Sequence, residues 1–183
     1  MEPSSLITAA GAFAWPLGAC SALATYVTIE RAISLRDART IPPSLLAALA
    51  RGEIPSNSPS SAGTRMLAAW KAGSRGEGLR AVAAAETVGF QRGMFLLDSA
   101  VALAPLLGLL GTVAGLAGLF SASGLPGPDR LTEGFSLALS TTLLGLAIAI
   151  PSQLAANWLA RRIEVLAARA GLVVDALERL PRP

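Results

Sequence analysis

The side chains able to do chemistry here are hydroxyls set in very apolar surroundings. Thr112 is the one hydrogen-bonding side chain at the centre of "APLLGLLGTVAGLAGLF", and Ser136, Ser140, Thr141 and Thr142 crowd the start of "GFSLALSTTLLGLAIAI". A hydroxyl in hydrocarbon needs a hydrogen-bond partner. It can find one in the i−4 carbonyl of its own helix, so no single one of these demands a wet passage. Repeated around a ring of chain copies, however, Thr112 and Thr142 would form polar collars in an otherwise apolar lumen. Pro105 and Pro151 each lack a backbone donor and leave carbonyls free near those collars. Such groups can hold water or a passing proton, but they do not titrate.

Other chemistries are poorly supplied. The chain has no histidine and a single cysteine, Cys20, so a zinc or haem site lacks ligands and no internal disulfide can form. No nucleophile–base pair, metal cluster or phosphate loop is visible, and the reading is a non-enzyme without a cofactor. A proton path normally shows an ionisable group at membrane depth. Here Asp98 stands at one helix entrance and Glu133 at another, with none deep inside any predicted span. A titrating carboxylate would have to come from another protein.

Three elements must position these residues. Of 183 residues 52% are apolar and only 15% charged, against about 25% charged in soluble domains. No Asp, Glu, Lys or Arg occurs in residues 3–29, 99–128 or 134–160. Each run exceeds the ~20 residues that span a bilayer core, which predicts transmembrane helices near 6–29, 99–120 and 133–158. The first run lacks the basic n-region of a signal peptide, since residues 1–5 carry Glu2 and no Lys or Arg, and it is read as a membrane helix.

Charge sets the expected orientation. Of fifteen basic residues none precedes the first span, nine lie between the first and second, one (Arg130) lies between the second and third, and five follow the third. The positive-inside rule then places the N-terminus and the short second loop in the periplasm and the C-terminus in the cytoplasm of a bacterial inner membrane. The basic balance reads as topology and contact with anionic lipid. No basic motif with interleaved aromatics suggests nucleic acid.

The remaining chain reads as helical extensions. Glu30, Arg31, Arg36, Asp37 and Arg39 form a charged collar where the first span leaves the membrane. "IPP" at 41–43 breaks the helix and favours a restart at Ser44 through Leu49. Residues 54–64 read as a loop and 64–72 as a short helix. From Gly78 the apolar spacing predicts one unbroken helix running into the second span. "SASGLPGPDR" is the hairpin, and an apolar stripe from Ile163 to Leu180 carries the third span onward as a packing face. The segments are 1–30 (first span), 31–98 (cytoplasmic helices), 99–160 (second and third spans, the channel core) and 161–183 (C-terminal helix). The fold class is an all-α membrane protein with long cytoplasmic helical extensions.

Small residues recur at helical spacing. Ala100, Ala104, Gly108 and Thr112 share one face, Gly111 and Gly115 form a GxxxG pair on the next, and Thr141, Gly145 and Ala149 line up on the third span. Lipid offers no hydrophobic pull between helices, so close backbone approach must hold them. Helix–helix contact accounts for these glycines without any pore.

"APLLGLLGTVAGLAGLF" with "GFSLALSTTLLGLAIAIPSQLAANWLARRIE" resembles the MotA/TolQ/ExbB proton-channel family, most closely its ExbB/TolQ branch. "WPLGACSALATYVTIERAISLR" is similar to the family's first helix, with Glu30–Arg31 at its Glu-Arg pair. The resemblance implies a homopentameric ring around two copies of a single-span ExbD/TolR-like partner that supplies the membrane aspartate. It also implies a TonB/TolA-like transducer beyond the membrane, and pore threonines at Thr112 and Thr142. One departure is Leu137, where many members carry Glu or Gln. Ser136 or Ser140 is expected to supply the polar surface instead, so that the expected pore-lining set is Thr112, Thr142, Thr141, Ser140 and Ser136. The competing expectations are a ring that anchors a partner without conducting, and a gliding or flagellar-stator motor.

Overall fold

A computed structural model describes residues 7–8, 10–36, 40–54, 61–120 and 127–181. Among these, every regular element is helical. A 3-10 turn at Gly11–Phe13 leads into α1 (Ala14–Ser34), followed by α2 (Pro43–Ala50), α3 (Ala62–Lys71), α4 (Glu77–Phe90), α5 (Met94–Phe120) and α6 (Pro128–Arg179). Three stretches are long and apolar enough to cross a bilayer: Gly11–Ser34, Glu77–Leu119 and Pro128–Arg179. The chain is an all-α, multi-pass membrane protein.

One expectation fails. The helix from Gly78 does not run unbroken into the second span: α4 stops at Phe90 and α5 starts at Met94. Between them Gln91 N donates to Val88 O and Arg92 N to Gly89 O, both tightened i−3 closures, and Gly93 takes φ +78°. A glycine in the left-handed region just past the last turn ends a helix, because any side chain there would be strained. Smaller differences concern starts and stops. α1 ends at Ser34, ahead of the prolines. α3 starts two residues earlier than expected because Ser61 caps it: Thr64 N donates to Ser61 Oγ at 3.2 Å and Ser61 N to Thr64 Oγ1 at 2.8 Å. Most of the 54–64 loop, Asp37 and Arg39 of the collar, and residues 121–126 of the hairpin lie outside the described residues.

The chain divides into two compact units. One comprises Met1–Thr28 with Met94–Ala156, the other Ile29–Gly93 with Asn157–Pro183. In the second unit Ile163, Leu166, Ala170, Val173, Val174 and Leu177 of α6 are all buried, in a core that also holds Leu45, Met66, Trp70 and Leu79. The tail stripe is therefore a core face. Trp70 is fully buried and its Nε1–H donates to Leu177 O at 2.7 Å. That carbonyl needs the help: its i+4 partner is Pro181, which has no N–H, and Leu180 N reaches it only at 3.3 Å. Trp70→Phe keeps most of the ring and removes the donor. It is expected to cost about 1–2 kcal/mol in chemical denaturation of this unit. An unchanged midpoint would mean that the indole serves only as packing.

Candidate channel-lining site

The first unit is built on an antiparallel pairing of α5 with α6. The buried residues of α5 in this unit are Leu97, Ala100, Ala104, Gly108, Gly111, Gly115 and Leu119, and those of α6 are Gly134, Ala138, Ser140, Thr141, Gly145, Ala149, Ser152 and Ala156. Apart from Ser140, successive members are three or four residues apart, which draws one narrow seam along each helix. Nearly all are small, so the backbones come together. A Cβ on Gly145 would lie 2.6 Å from Ala104 O, one on Gly108 would lie 2.9 Å from Thr141 O, and one on Gly115 would lie 2.8 Å from Gly134 O. The site of a Cβ on Gly111 is filled by the Thr141 side chain, 2.5 Å away. In lipid this close approach, with its dispersion contacts, is what holds two helices together.

The hydroxyls divide between the seam and its edge. Thr141 is fully buried, and its hydroxyl is within bonding distance of Leu137 O at 2.9 Å and Ala138 O at 3.1 Å, both in its own helix. Ser140 is also buried, whereas Ser136 is exposed. Pro105 is half-buried and Pro151 exposed, each within its helix. Thr112 and Thr142 stand half-buried at the edge of the seam and hydrogen-bond each other across the two helices. The Thr112 hydroxyl also has Gly108 O and Ala138 O each at 3.2 Å, and Thr142 Oγ1 donates to Gly108 O at 3.3 Å. Two protons thus serve a cluster of two hydroxyls and two carbonyls, with Thr112 near the middle of the charge-free run 99–128 and Thr142 eight residues past the start of 134–160.

The opposite edge of the seam is different. Leu137 is five residues before Thr142, about 140° around α6. Its Cδ1 would lie 3.9 Å from a Cβ on Gly11 of the 3-10 turn, which packs on that side. Leu137 also borders an open cleft of about 300 Å³ that Arg130 and Glu133 help to line. The apolar substitution at 137 is thus removed from the threonine edge. On that edge the neighbouring exposed side chains are Leu109, Val113, Leu139 and Leu146, a hydrocarbon surface interrupted by one polar pair. Glu30 and Arg31 belong to the other unit, where Arg31 Nε and Nη2 donate to the Glu30 carboxylate at 2.7 and 3.1 Å.

The profile of the MotA/TolQ/ExbB proton channel family matches residues 70–170, more than half the chain. The chain belongs to the MotA/TolQ/ExbB family. Its relatives point to the ExbB-like branch. Over 66 residues it is 47% identical to "Biopolymer transport protein ExbB" of Helicobacter pylori, covering 34% of this chain and 46% of that one. It is 39% identical over 85 residues to "Biopolymer transport protein exbB1" of Vibrio cholerae, covering 42% and 37% of the two chains. With the ExbB of Aquifex aeolicus it shares 36% over 73 residues, 38% and 49% of the two. The chain spans about half the length or less of these relatives. No solved structure matches it significantly. The family match extends over α4, α5 and most of α6, and so contains the whole of the seam and the threonine pair.

Proposed function

We propose that this chain is the ring-forming subunit of a proton-driven motor in a bacterial inner membrane. Five copies surround two copies of a single-span ExbD/TolR-like partner, whose intramembrane aspartate titrates beside Thr112 and Thr142. The work is passed on through a TonB/TolA-like transducer. The observation that carries this reading is a hydroxyl pair on an uncovered, otherwise apolar edge, within two runs (99–128 and 134–160) that hold no ionisable side chain. A proton carrier entering such a ring has to bring its own acid, and two hydroxyls can solvate the proton or its water as it passes.

A non-conducting scaffold is the second reading, and one observation favours it. The two hydroxyls already bond each other and backbone carbonyls, so a purely structural clasp between α5 and α6 accounts for them. Function and packing make different demands on substitution: removing both hydroxyls while keeping the side-chain shape abolishes conduction without loss of assembly only if they line the path.

Orientation is tested by labelling. In a Cys20→Ser background, Gly127→Cys is expected to react with a membrane-impermeant maleimide on intact spheroplasts, and Lys71→Cys only after lysis. Both positions are exposed. Labelling of Lys71→Cys before lysis would invert the topology argued from the basic residues.

A further inference from the structure

The second unit contains an open cavity of about 410 Å³ at the end of α1, bounded by α3 and α4. Three guanidinium groups, Arg31, Arg65 and Arg92, line it with a single carboxylate, Glu86. Arg31 is engaged through Nε and Nη2 with Glu30, and Arg65 through the same two nitrogens with Glu86. Each pairing occupies one edge of a guanidinium and leaves its Nη1 group outside those bonds. The Glu86 carboxylate is neutralised by this contact, and its hydrogen bond raises the pKa of Arg65 further, so Arg65 carries its charge throughout the physiological range. Arg92 has no carboxylate partner among the described residues. Among the described residues the cavity lining thus carries one uncompensated positive charge and planar N–H donors from three side chains, together with the buried Leu35 and Phe90.

Several guanidinium groups lining one cavity suit a tetrahedral oxyanion better than a point contact does. The cavity also lies where such anions are concentrated. Arg31 follows the charge-free run of α1 by two residues, about 3 Å of helix, which is within the head-group layer of a bilayer that the run spans. We propose that this cavity binds a phosphate group, carried either by an anionic phospholipid head group or by a soluble phosphate ester. The inference requires that α1 spans a membrane and is independent of whether the ring conducts protons.

The test uses the full chain, purified and then exposed to vesicles of equal phosphatidylglycerol and phosphatidylcholine, with bound lipid counted by native mass spectrometry. A second arm follows thermal unfolding with inorganic phosphate and with glycerol 3-phosphate. Arg92→Gln removes the uncompensated charge, and Lys71→Gln removes an exposed charge outside the cavity. The wild type is expected to retain phosphatidylglycerol over phosphatidylcholine. Arg92→Gln should lower that retention about fivefold, while Lys71→Gln leaves it unchanged. Stabilisation by the soluble phosphates without lipid enrichment, lost in Arg92→Gln alone, assigns a soluble ester instead. A loss in Arg92→Gln no larger than in Lys71→Gln, or no phosphate-bearing ligand bound by the wild type, overturns the site.

Discussion

A Thr112→Val/Thr142→Val double variant is expected to insert and assemble, yet to lose about ten- to a hundredfold of its proton-dependent activity. The magnitude follows from two hydroxyls each giving up a hydrogen bond to water or proton carrier, about 0.5–1.5 kcal/mol apiece, with about 1.4 kcal/mol per factor of ten in rate. Valine keeps the β-branched shape and its χ1 preference, so seam packing is retained. The cross-helix bonds are also lost, but membrane hydrogen bonds of this kind average only about 0.6 kcal/mol. Gly108 O and Ala138 O remain acceptors in their own helices, so no buried carbonyl is orphaned. Replacing both partners together is therefore gentler on the fold than its contact list suggests. Native mass spectrometry of the complex reports assembly, and partner-dependent transport reports function. Normal assembly with wild-type activity would remove Thr112 and Thr142 from the path and favour the scaffold. Collapse of the hairpin would make the pair a structural clasp.

The second large effect is at Gly145. A single added methyl, Gly145→Ala, would sit 2.6 Å from Ala104 O and 3.2 Å from Gly108 Cα, both backbone atoms that yield only if a helix moves. Separating the helices forfeits the close contact on which their association in lipid depends, and overpacking of this kind costs about 1–3 kcal/mol. Gly145→Leu should prevent the native hairpin altogether. Insertion itself should persist, since leucine favours it by about 0.3–0.6 kcal/mol. Gly118→Ala is the matched control: it is in the same hairpin, in helix, with nothing within 4 Å of the added carbon. Steric-trapping measurements of hairpin opening should show the first variant destabilised and the control unchanged. Gly111 is a less strict position, because its added carbon meets the Thr141 side chain rather than backbone. Equal stability of Gly145→Ala and Gly118→Ala would mean that the helices are not held at this separation.

Length and charge-free runs were enough to read three membrane helices, because a bilayer imposes both constraints on any span. The restart at "IPP" was legible for a similar reason, since proline geometry is local, and α2 begins at Pro43. The break at Gly93 was not read, although the glycine was in plain view: the apolar spacing of α4 resumes in α5 and masks it. The small-residue spacing of α5 and of α6 could be seen separately, but not which residue met which. Thr141 and Thr142 are adjacent in sequence and indistinguishable by type. Only the rotation of α6 against α5 turns one into the seam and leaves the other at its edge. The arginine cavity is not legible in the sequence, because Arg31, Arg65 and Arg92 are some thirty residues apart and come to line one cavity only through the fold of the second unit.

Proton flux into pyranine-loaded proteoliposomes that contain this chain with the proposed single-span partner is the direct test of the motor. A potassium–valinomycin potential drives the flux, and the parallel samples are the chain alone and the chain with a partner whose intramembrane aspartate is replaced by asparagine. Acidification is expected only with the intact partner, and background leakage from both other samples. Flux from the chain alone would place the titrating group within its own helices, and no flux from the intact complex under any applied potential would contradict the motor.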